Sequence, residues 1–213
     1  YKKYDVALTG WLFSIGTPSE IKIDNKNKII IGATYDIKSN LNAELSNYFN
    51  WADTILANNP DTGKYIIPAK LGFGISYLFN NQLTVGIDFN KQDWSKAKFL
   101  GQNDSLQNMW RISTGIEFVK DKNSYLNYWS RVRYRIGFRY ENTYLSLYNN
   151  PIKDMALSFG VGLPFKRTNT IFNVGFEIGK RGTTSNNLVQ DNYKRFFISV
   201  SLYDYWFIKR KYN

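Results

Sequence analysis

The sequence predicts an all-β protein, a transmembrane antiparallel up-and-down β-barrel. Three observations carry this prediction: apolar residues alternate with small or polar ones, the alternating segments are mostly 10 to 14 residues long, and long connections alternate with short ones. An alternation of period two is typical of a strand, because successive side chains point to opposite faces. The length of 213 residues fits one domain, and we assign residues 1–213 to a single barrel.

About ten segments have the alternating pattern, and together they are the expected strands. They lie near residues 5–14, 28–38, 40–50, 67–79, 82–94, 108–120, 127–140, 153–164, 170–181 and 193–207. Strands in soluble proteins are typically about five or six residues long, whereas a tilted strand needs about 9–11 residues to cross a bilayer. Segment length therefore favours a membrane barrel over a soluble sandwich. No segment has the pattern of an amphipathic helix.

The expected connections alternate in length. Those near 15–27, 51–66, 95–107, 141–152 and 182–192 are long, and those near 39, 80–81, 121–126 and 165–169 are short. Outer-membrane barrels have short periplasmic turns and long extracellular loops, so this alternation predicts an outer-membrane location. In this register the first strand starts in the periplasm and the last strand ends there.

Aromatic residues collect near the ends of the segments. Trp94 and Tyr140 lie by long connections, and Phe165 and Trp206 lie by short ones. Interfacial girdles of a membrane barrel predict this placement. The alternative is the ordinary preference of aromatic residues for strands.

The composition excludes many classes of enzyme. The chain has no cysteine and no histidine. It therefore has no thiol nucleophile, no thiolate metal site and no imidazole base. Asp88 and Glu117 are possible neighbours on adjacent strands, and a carboxylate pair can do acid–base chemistry. An ion pair with Arg111 is favoured instead, so we expect neither enzymatic activity nor a cofactor.

Arginines decide which face of the barrel points inward. Four of them share one face of the segment 128–140: Arg131, Arg133, Arg135 and Arg139. An arginine on the lipid face at mid-bilayer costs roughly 2–4 kcal/mol, so this face is predicted to line the lumen. Neighbouring segments add further inward charges: Asp88, Arg111, Glu117, Glu177, Arg181 and Arg195.

Two interpretations of these ten charged residues stay open. In the first, an ion-pair network fills and stiffens a narrow barrel, because buried arginines need partners in any protein. In the second, an electropositive lumen selects anionic or amphipathic solutes.

The net charge of +11 does not indicate nucleic-acid binding, because the basic residues are spread among lumen, turns and the tail at 209–211. Outer-membrane lipid, the phosphates of lipopolysaccharide and periplasmic proteins are the expected partners. Loop residues such as those at 101–105 are expected to be merely solvated.

Several motifs in residues 65–213 carry a resemblance to a known family. They are Pro68, GFGISY at 72–77, VGIDF at 85–89 with Trp94, YRIGFRY at 134–140, GVGLP at 160–164, NVGFEIGKRGT at 173–183, DNY at 191–193 and WFIKRKY at 206–212. Together they resemble the barrel of an outer-membrane protein of the long-chain fatty-acid transporter superfamily. The branch is the Bacteroidota-type one, common in gliding and gut-anaerobe lineages.

The resemblance implies a fourteen-stranded barrel with an N-terminal plug and, for its typical members, uptake of hydrophobic molecules through an opening in the wall. Only about ten strands and no plug are recognised here, so an N-terminal part is expected to be missing from this numbering. The end of the last strand, at Leu202, Tyr203, Trp206 and Phe207, resembles a barrel-insertion signal.

Two functions follow from the resemblance. The favoured one is passive transport of hydrophobic or amphipathic small molecules across the outer membrane. The other is a structural or accessory role in a multi-protein outer-membrane assembly or secretion complex, because some relatives are subunits of secretion or barrel-assembly complexes.

Overall fold

The computed structural model describes residues 2–51, 54–57, 60–100, 106–124, 126–148, 150–165 and 170–202. The described strands are β1 (Lys2–Thr9), β2 (Ser14–Lys22), β3 (Lys28–Asp36), β4 (Ser39–Trp51), β5 (Thr54–Ala57), β6 (Asp61–Ile67), β7 (Lys70–Phe79), β8 (Leu83–Gln92), β9 (Lys98–Phe99), β10 (Met109–Phe118), β11 (Arg133–Leu147), β12 (Asn150–Pro164), β13 (Ile171–Gly182) and β14 (Gln190–Ser201). Three short 3-10 helices lie between strands, at Trp94–Lys96, Tyr128–Arg131 and Ser185–Asn187. Within these ranges, no helix has the length and hydropathy needed to cross a bilayer.

Nine strands form one antiparallel sheet in the order β14-β13-β12-β11-β10-β8-β7-β3-β2. Every neighbouring pair is antiparallel, so the chain runs up and down through the sheet. We call the end where β3, β8, β11 and β13 finish the upper end. The lower connections are then 23–27, 80–82, 119–132 and 165–170. Because the number of strands is odd, the edge strands β2 and β14 run in the same direction.

Most of the large apolar side chains of this sheet lie on its outer surface. On β7, Phe73 is 57% exposed and Ile75 is 47% exposed, while Gly72 on the other face is buried. The same arrangement recurs across the sheet, and among the described residues only Val119 and Val132 are large side chains that are fully buried. A soluble protein rarely exposes an apolar patch beyond a few hundred Å². The sheet is the wall of a transmembrane antiparallel β-barrel, which confirms the predicted fold class.

The other strands form a smaller sheet beyond the upper end. Its order is β1-β4-β6-β9, and β5 pairs with β4. Its strands β1, β4, β6 and β9 adjoin β2, β3, β7 and β8 in the chain, at the upper ends of those strands. Leu41, Ala43 and Ala97 are buried, and the rings of Tyr65 and Phe99 meet edge to face with centroids 5.7 Å apart. A small core therefore supports this extramembrane sheet.

The predicted strands of the N-terminal third are partly wrong. Residues 15–27, expected as a long connection, form most of β2 and a lower turn, and residue 39 begins β4 at the upper end, where a short lower turn was expected. The segment 40–50 lies in the smaller sheet, and 51–66 contains β5 and all but the last residue of β6. The alternation was hidden because β2 has Thr17 and Ser19 at outward positions, where other strands carry large apolar residues.

Two further boundaries differ from the prediction. The connection expected at 141–152 is strand almost throughout, since β11 and β12 continue to a tight turn in which Tyr148 has a φ of 47°. The start of the segment 127–140 is not strand but the 3-10 helix Tyr128–Arg131. This helix lies in the lower connection between β10 and β11, which is longer than the upper turn between β11 and β12. The expected alternation of short lower and long upper connections therefore fails at these two places.

Some expectations fall outside the described residues. These are the basic tail at 209–211, the loop at 101–105 and the C-terminal signature residues Tyr203, Trp206 and Phe207.

Asp24 organises the turn between β2 and β3. Its carboxylate accepts the side-chain amide of Asn27 at 2.6 Å and the backbone N–H groups of Lys26 and Asn27 at 2.7 and 2.9 Å. The hydrogen bonds from Asn27 and Lys26 lower the pKa of Asp24. Asn27 also accepts the N–H of Asn80 at 2.8 Å, which joins two lower turns of the barrel wall.

Candidate functional site

The inward face of β10 to β14 carries a network of charged side chains. The alternation of the strands places these residues on the concave side, opposite the apolar lipid face. The network consists of Arg111, Glu117, Arg133, Arg135, Arg139, Glu141, Asp154, Glu177 and Arg195. Each residue has an opposite charge within 4 Å, as the most buried members, Asp154, Glu177 and Glu141, require.

The lower part of the network is centred on Glu117. Arg135 lies directly opposite Glu117 in the register of β10 and β11, and its Nε donates to Oε2 at 2.7 Å. Nη1 of Arg133 is 3.5 Å from Oε1 of Glu117. Nη1 of Arg135 also donates to Oδ1 of Asn173 at 2.8 Å. Arg135 therefore connects β11 to β13 across the intervening strand β12.

The middle part is centred on Arg139. Its Nη2 donates to the hydroxyl of Tyr193 at 2.9 Å and lies 3.3 Å from Oε1 of Glu177 and 3.5 Å from Oδ1 of Asp154. The Tyr193 hydroxyl donates in turn to Oδ1 of Asp154 at 2.8 Å. The Arg195 guanidinium lies 4.4 Å from the Tyr193 ring centroid and 3.5 Å from Glu177. One arginine of β11 thus holds side chains from β12, β13 and β14.

At the upper end, Arg111 of β10 pairs with Glu141 of β11. Nη2 and Nε of Arg111 are 2.7 and 2.8 Å from Oε2 of Glu141. The two residues are direct cross-strand partners. Among the residues that the structure describes, five arginines and four carboxylates make up the network, which leaves one net positive charge.

The structure brings together most of the sequence-predicted residues in this network but leaves three outside it. Arg131 lies in the lower 3-10 helix, with its guanidinium 5.3 Å from the ring centroid of Tyr128. Arg181 is exposed at the upper end of β13, and Asp88 is exposed on β8. Neither Arg181 nor Asp88 makes an ion pair with the part of the chain that the structure describes.

Asp88 and Glu117, possible neighbours by sequence, do not form a carboxylate pair. Asp88 lies opposite Ser113, whereas Glu117 lies opposite Thr84, so the two carboxylates are four positions apart along the strands. The expected pairing of these acids with Arg111 is also wrong, because Arg111 binds Glu141.

Sequence reasoning missed four residues of the site: Asn173, Tyr193, Glu141 and Asp154. Glu141 falls in the connection expected at 141–152, whereas Asp154 falls in the strand expected at 153–164 but was not recognised as an inward charge. The alternation of inward and outward positions could have found Glu141 if it had been continued beyond residue 140. Glu141 follows the inward Arg139 by two positions and therefore also points inward. Tyr193 and Asn173 occupy inward positions of β14 and β13.

The inward face of β3, β7 and β8 is different in character. It carries small residues and bounds a cavity of about 410 Å³ whose lining includes Gly32, Thr34, Gly72, Gly74 and Asp88. A second cavity of about 440 Å³ lies beside Glu117 and Arg135 and reaches Phe197 on β14. Among the described residues, no group of acidic side chains could hold a metal ion.

Aromatic rings of β14 cover glycines of β13 on the inward face. Tyr193 lies directly opposite Gly179, and a Cβ added to Gly179 would overlap the Tyr193 ring. Glycine is therefore required here, because the ring that carries the network hydroxyl occupies the space of a side chain.

Replacing Gly179 with alanine is expected to lower the free energy of unfolding by about 1–3 kcal/mol, because the Tyr193 ring must shift. The matched control is Gly32→Ala, since nothing lies within 4 Å of a Cβ at Gly32. Urea unfolding in detergent micelles measures both variants. Equal stability of the two variants would contradict the close approach of Tyr193 to Gly179.

Comparison of the sequence with models of protein families identifies one family. The family model described as BamG matches residues 1–213. This family differs from the superfamily that the sequence motifs resemble. The lineage branch and the missing N-terminal part stay predictions.

Among solved structures, the "CymD monoaromatic hydrocarbon channel" is similar, with a TM-score of 0.44 and 19% sequence identity. The match covers 76% of this chain and 44% of that channel, so the chain spans less than half of the channel's length. No curated protein matches. Because the family model covers every residue, the chain belongs to the BamG family.

Proposed function

We propose that the protein is a structural subunit of a multi-protein assembly in the outer membrane of a Gram-negative cell. The observation that carries this proposal is the paired state of the inward charges between β10 and β14. Each arginine of the network is held by a carboxylate on another strand. The network therefore stiffens the wall and offers little free positive charge to a solute.

The reach of the side chains supports a stiffening role. Arg135 on β11 reaches Asn173 on β13, across the intervening strand β12. Arg139 on β11 reaches Tyr193 on β14, across the two intervening strands β12 and β13. Such contacts brace strands that share no backbone hydrogen bonds. A rigid wall with an apolar outer surface is suited to lateral contacts with other membrane proteins.

The two ends of the nine-stranded sheet differ in the way that the two ends of an outer-membrane barrel do. Lower connections at 23–27 and 80–82 are short, while the upper end carries the smaller sheet. Outer-membrane barrels have short periplasmic turns and larger extracellular parts. We therefore orient the upper end toward the outside of the cell.

Passive transport of hydrophobic or amphipathic molecules is the second candidate. The cavity of about 410 Å³ beside β7 favours it, since its volume lies in the range of small-molecule sites. Glycine, serine and threonine in its lining leave space along the inward face, beside Ile30, Asp88 and Asn90.

Native mass spectrometry of the full-length protein, extracted from its own outer membrane in mild detergent, tests the proposal. We expect a stoichiometric assembly with other outer-membrane proteins. A lone barrel with a co-purified hydrophobic molecule would contradict the structural role and support transport.

Filling the cavity separates the two candidates in cells. Ser76→Phe places a ring in the cavity, whereas Ser19→Phe makes the same change on the outward face of β2. For a structural subunit we expect both variants to leave uptake of hydrophobic solutes and co-purification of the assembly within twofold of wild type. A tenfold loss of uptake in Ser76→Phe alone would overturn the structural role.

A further inference from the structure

Charged residues on the outward face of the nine-stranded sheet are few and of one sign. The register places four lysines and no aspartate or glutamate at outward positions of the described strands of this sheet. The lysines are Lys91, Lys153, Lys180 and Lys194. All four lie toward the upper end, while the lower outward positions hold apolar residues such as Phe79 and Phe118.

Three of these lysines form a cluster on adjacent strands. Lys180 of β13 lies opposite Met155, two positions from Lys153 on β12, and Lys194 of β14 lies opposite Ile178, two positions from Lys180. Diagonal neighbours of this kind are about 7–8 Å apart. All three side chains are exposed. We call Lys153, Lys180 and Lys194 the lysine diagonal.

The surroundings of the lysine diagonal place it at the upper boundary of the bilayer. Below it the outward face is apolar, with Leu157, Phe176 and Phe196 exposed. Farther round the wall at a similar level, the rings of Trp110 and Tyr140 contact each other with centroids 5.4 Å apart. Aromatic rings on the outer wall of a barrel are typical of the headgroup level.

The charge of the diagonal is not balanced by the protein. None of the three lysines makes an ion pair with the residues that the structure describes. In register, Asn142 lies opposite Lys153 and Asn192 lies opposite Lys180, and amide groups also donate hydrogen bonds. The Asn142 amide donates one hydrogen bond to the backbone carbonyl of Asn108 at 3.3 Å, which leaves its second N–H. Three cations and two amides at headgroup depth are complementary to phosphate groups.

We propose that the lysine diagonal binds the phosphate groups of a phosphorylated glycolipid, lipid A, in the membrane leaflet at the upper end of the barrel. The choice of this lipid rests on the outer-membrane orientation proposed above. The absence of a matching outward cluster on the lower ends of the described strands supports binding in one leaflet only. The site would anchor the wall of the barrel at a fixed depth.

The experiment is a titration of the full-length protein with lipid A, followed by native mass spectrometry. The test variant is Lys153→Gln/Lys180→Gln/Lys194→Gln, and the control Lys26→Gln/Lys120→Gln/Lys122→Gln removes three exposed lysines from the lower turns. We expect the test variant to bind phosphorylated lipid A at least tenfold more weakly, and the control to bind it like the wild type. Dephosphorylated lipid A should bind all three proteins equally weakly.

Equal binding by the test variant and the control would overturn the proposal. Displacement of lipid A by an equimolar amount of inorganic phosphate would overturn the assignment to a lipid. Loss of a protein partner, with lipid binding unchanged, would assign the diagonal to a protein contact and overturn the proposal as well.

A separate measurement reports the orientation. The chain has no cysteine, so Ser185→Cys introduces a single thiol into an upper connection. Labelling by a membrane-impermeant maleimide on intact cells would place the upper end outside. If labelling fails while lipid A still binds the purified protein, the orientation in the proposed function is wrong and the phosphate site remains.

Discussion

A lysine in place of Phe159 is expected to destabilise the barrel folded in a bilayer by about 2–4 kcal/mol, because it puts a charge on the lipid face near mid-membrane. Phe159 lies at an outward position of β12, is 44% exposed and stands between Ile136 of β11 and Phe176 of β13. The measurement is the urea dependence of refolding into phospholipid vesicles, followed by the mobility shift of the folded barrel on cold gels.

The neighbouring residue provides the matched control. Ser158 points inward and lies opposite Glu177, so the ammonium of Ser158→Lys would have a carboxylate beside it. We expect this variant to lose much less stability than Phe159→Lys. If the two variants were equally destabilised, or if Ser158→Lys were the worse, the assignment of the two faces would be wrong.

The C-terminal two thirds of the barrel could be predicted from sequence because both faces are chemically distinct there. On β12 and β13, large apolar residues such as Leu157 and Ile178 alternate with glycine, serine and charge. The period of two then gives both the strand and its orientation. The inward assignment of Arg133, Arg135 and Arg139 follows from the same contrast.

The N-terminal third could not be predicted by this contrast. The outward positions of β2 include Thr17 and Ser19, so this strand has no continuous apolar face. Strands of the smaller sheet have polar residues on both sides, as expected outside the membrane. Leu41 is buried in this sheet and lies opposite Tyr65 in the register of β4 and β6, a pairing that alternation along the chain does not encode.

The partners of the interior arginines were also beyond sequence reasoning. The alternation along one strand shows which side chains point inward. The register between two strands decides which inward side chains lie next to each other. Arg111 meets Glu141 and not Asp88 because β10 and β11 are paired at that position. Arg139 reaches Tyr193 because the curved wall brings inward side chains of nonadjacent strands together.

Arg139 contacts Asp154, Glu177 and Tyr193, so its replacement is expected to have a large effect on stability. Arg139→Met is expected to lower the free energy of unfolding by about 2–4 kcal/mol, since removing one partner of a buried pair typically costs about 3–5 kcal/mol and a quarter of this side chain is exposed. Asp154 and Glu177 would be left close together with only Tyr193 and Arg195 as partners. Urea unfolding of the barrel in micelles measures the loss.

A double-mutant cycle identifies the origin of that loss. We expect Arg139→Met combined with Asp154→Asn to be less destabilising than the sum of the single changes, with a coupling energy of about 1–3 kcal/mol. Asp88→Asn is the control, because Asp88 is exposed and its change should stay within about 0.5 kcal/mol. Additive effects of Arg139 and Asp154 would mean that the two charges do not interact in the folded wall.

A large loss of stability without any change in solute uptake would instead connect the network to the rigidity of the wall, because a residue on a transport path should alter passage before it alters folding.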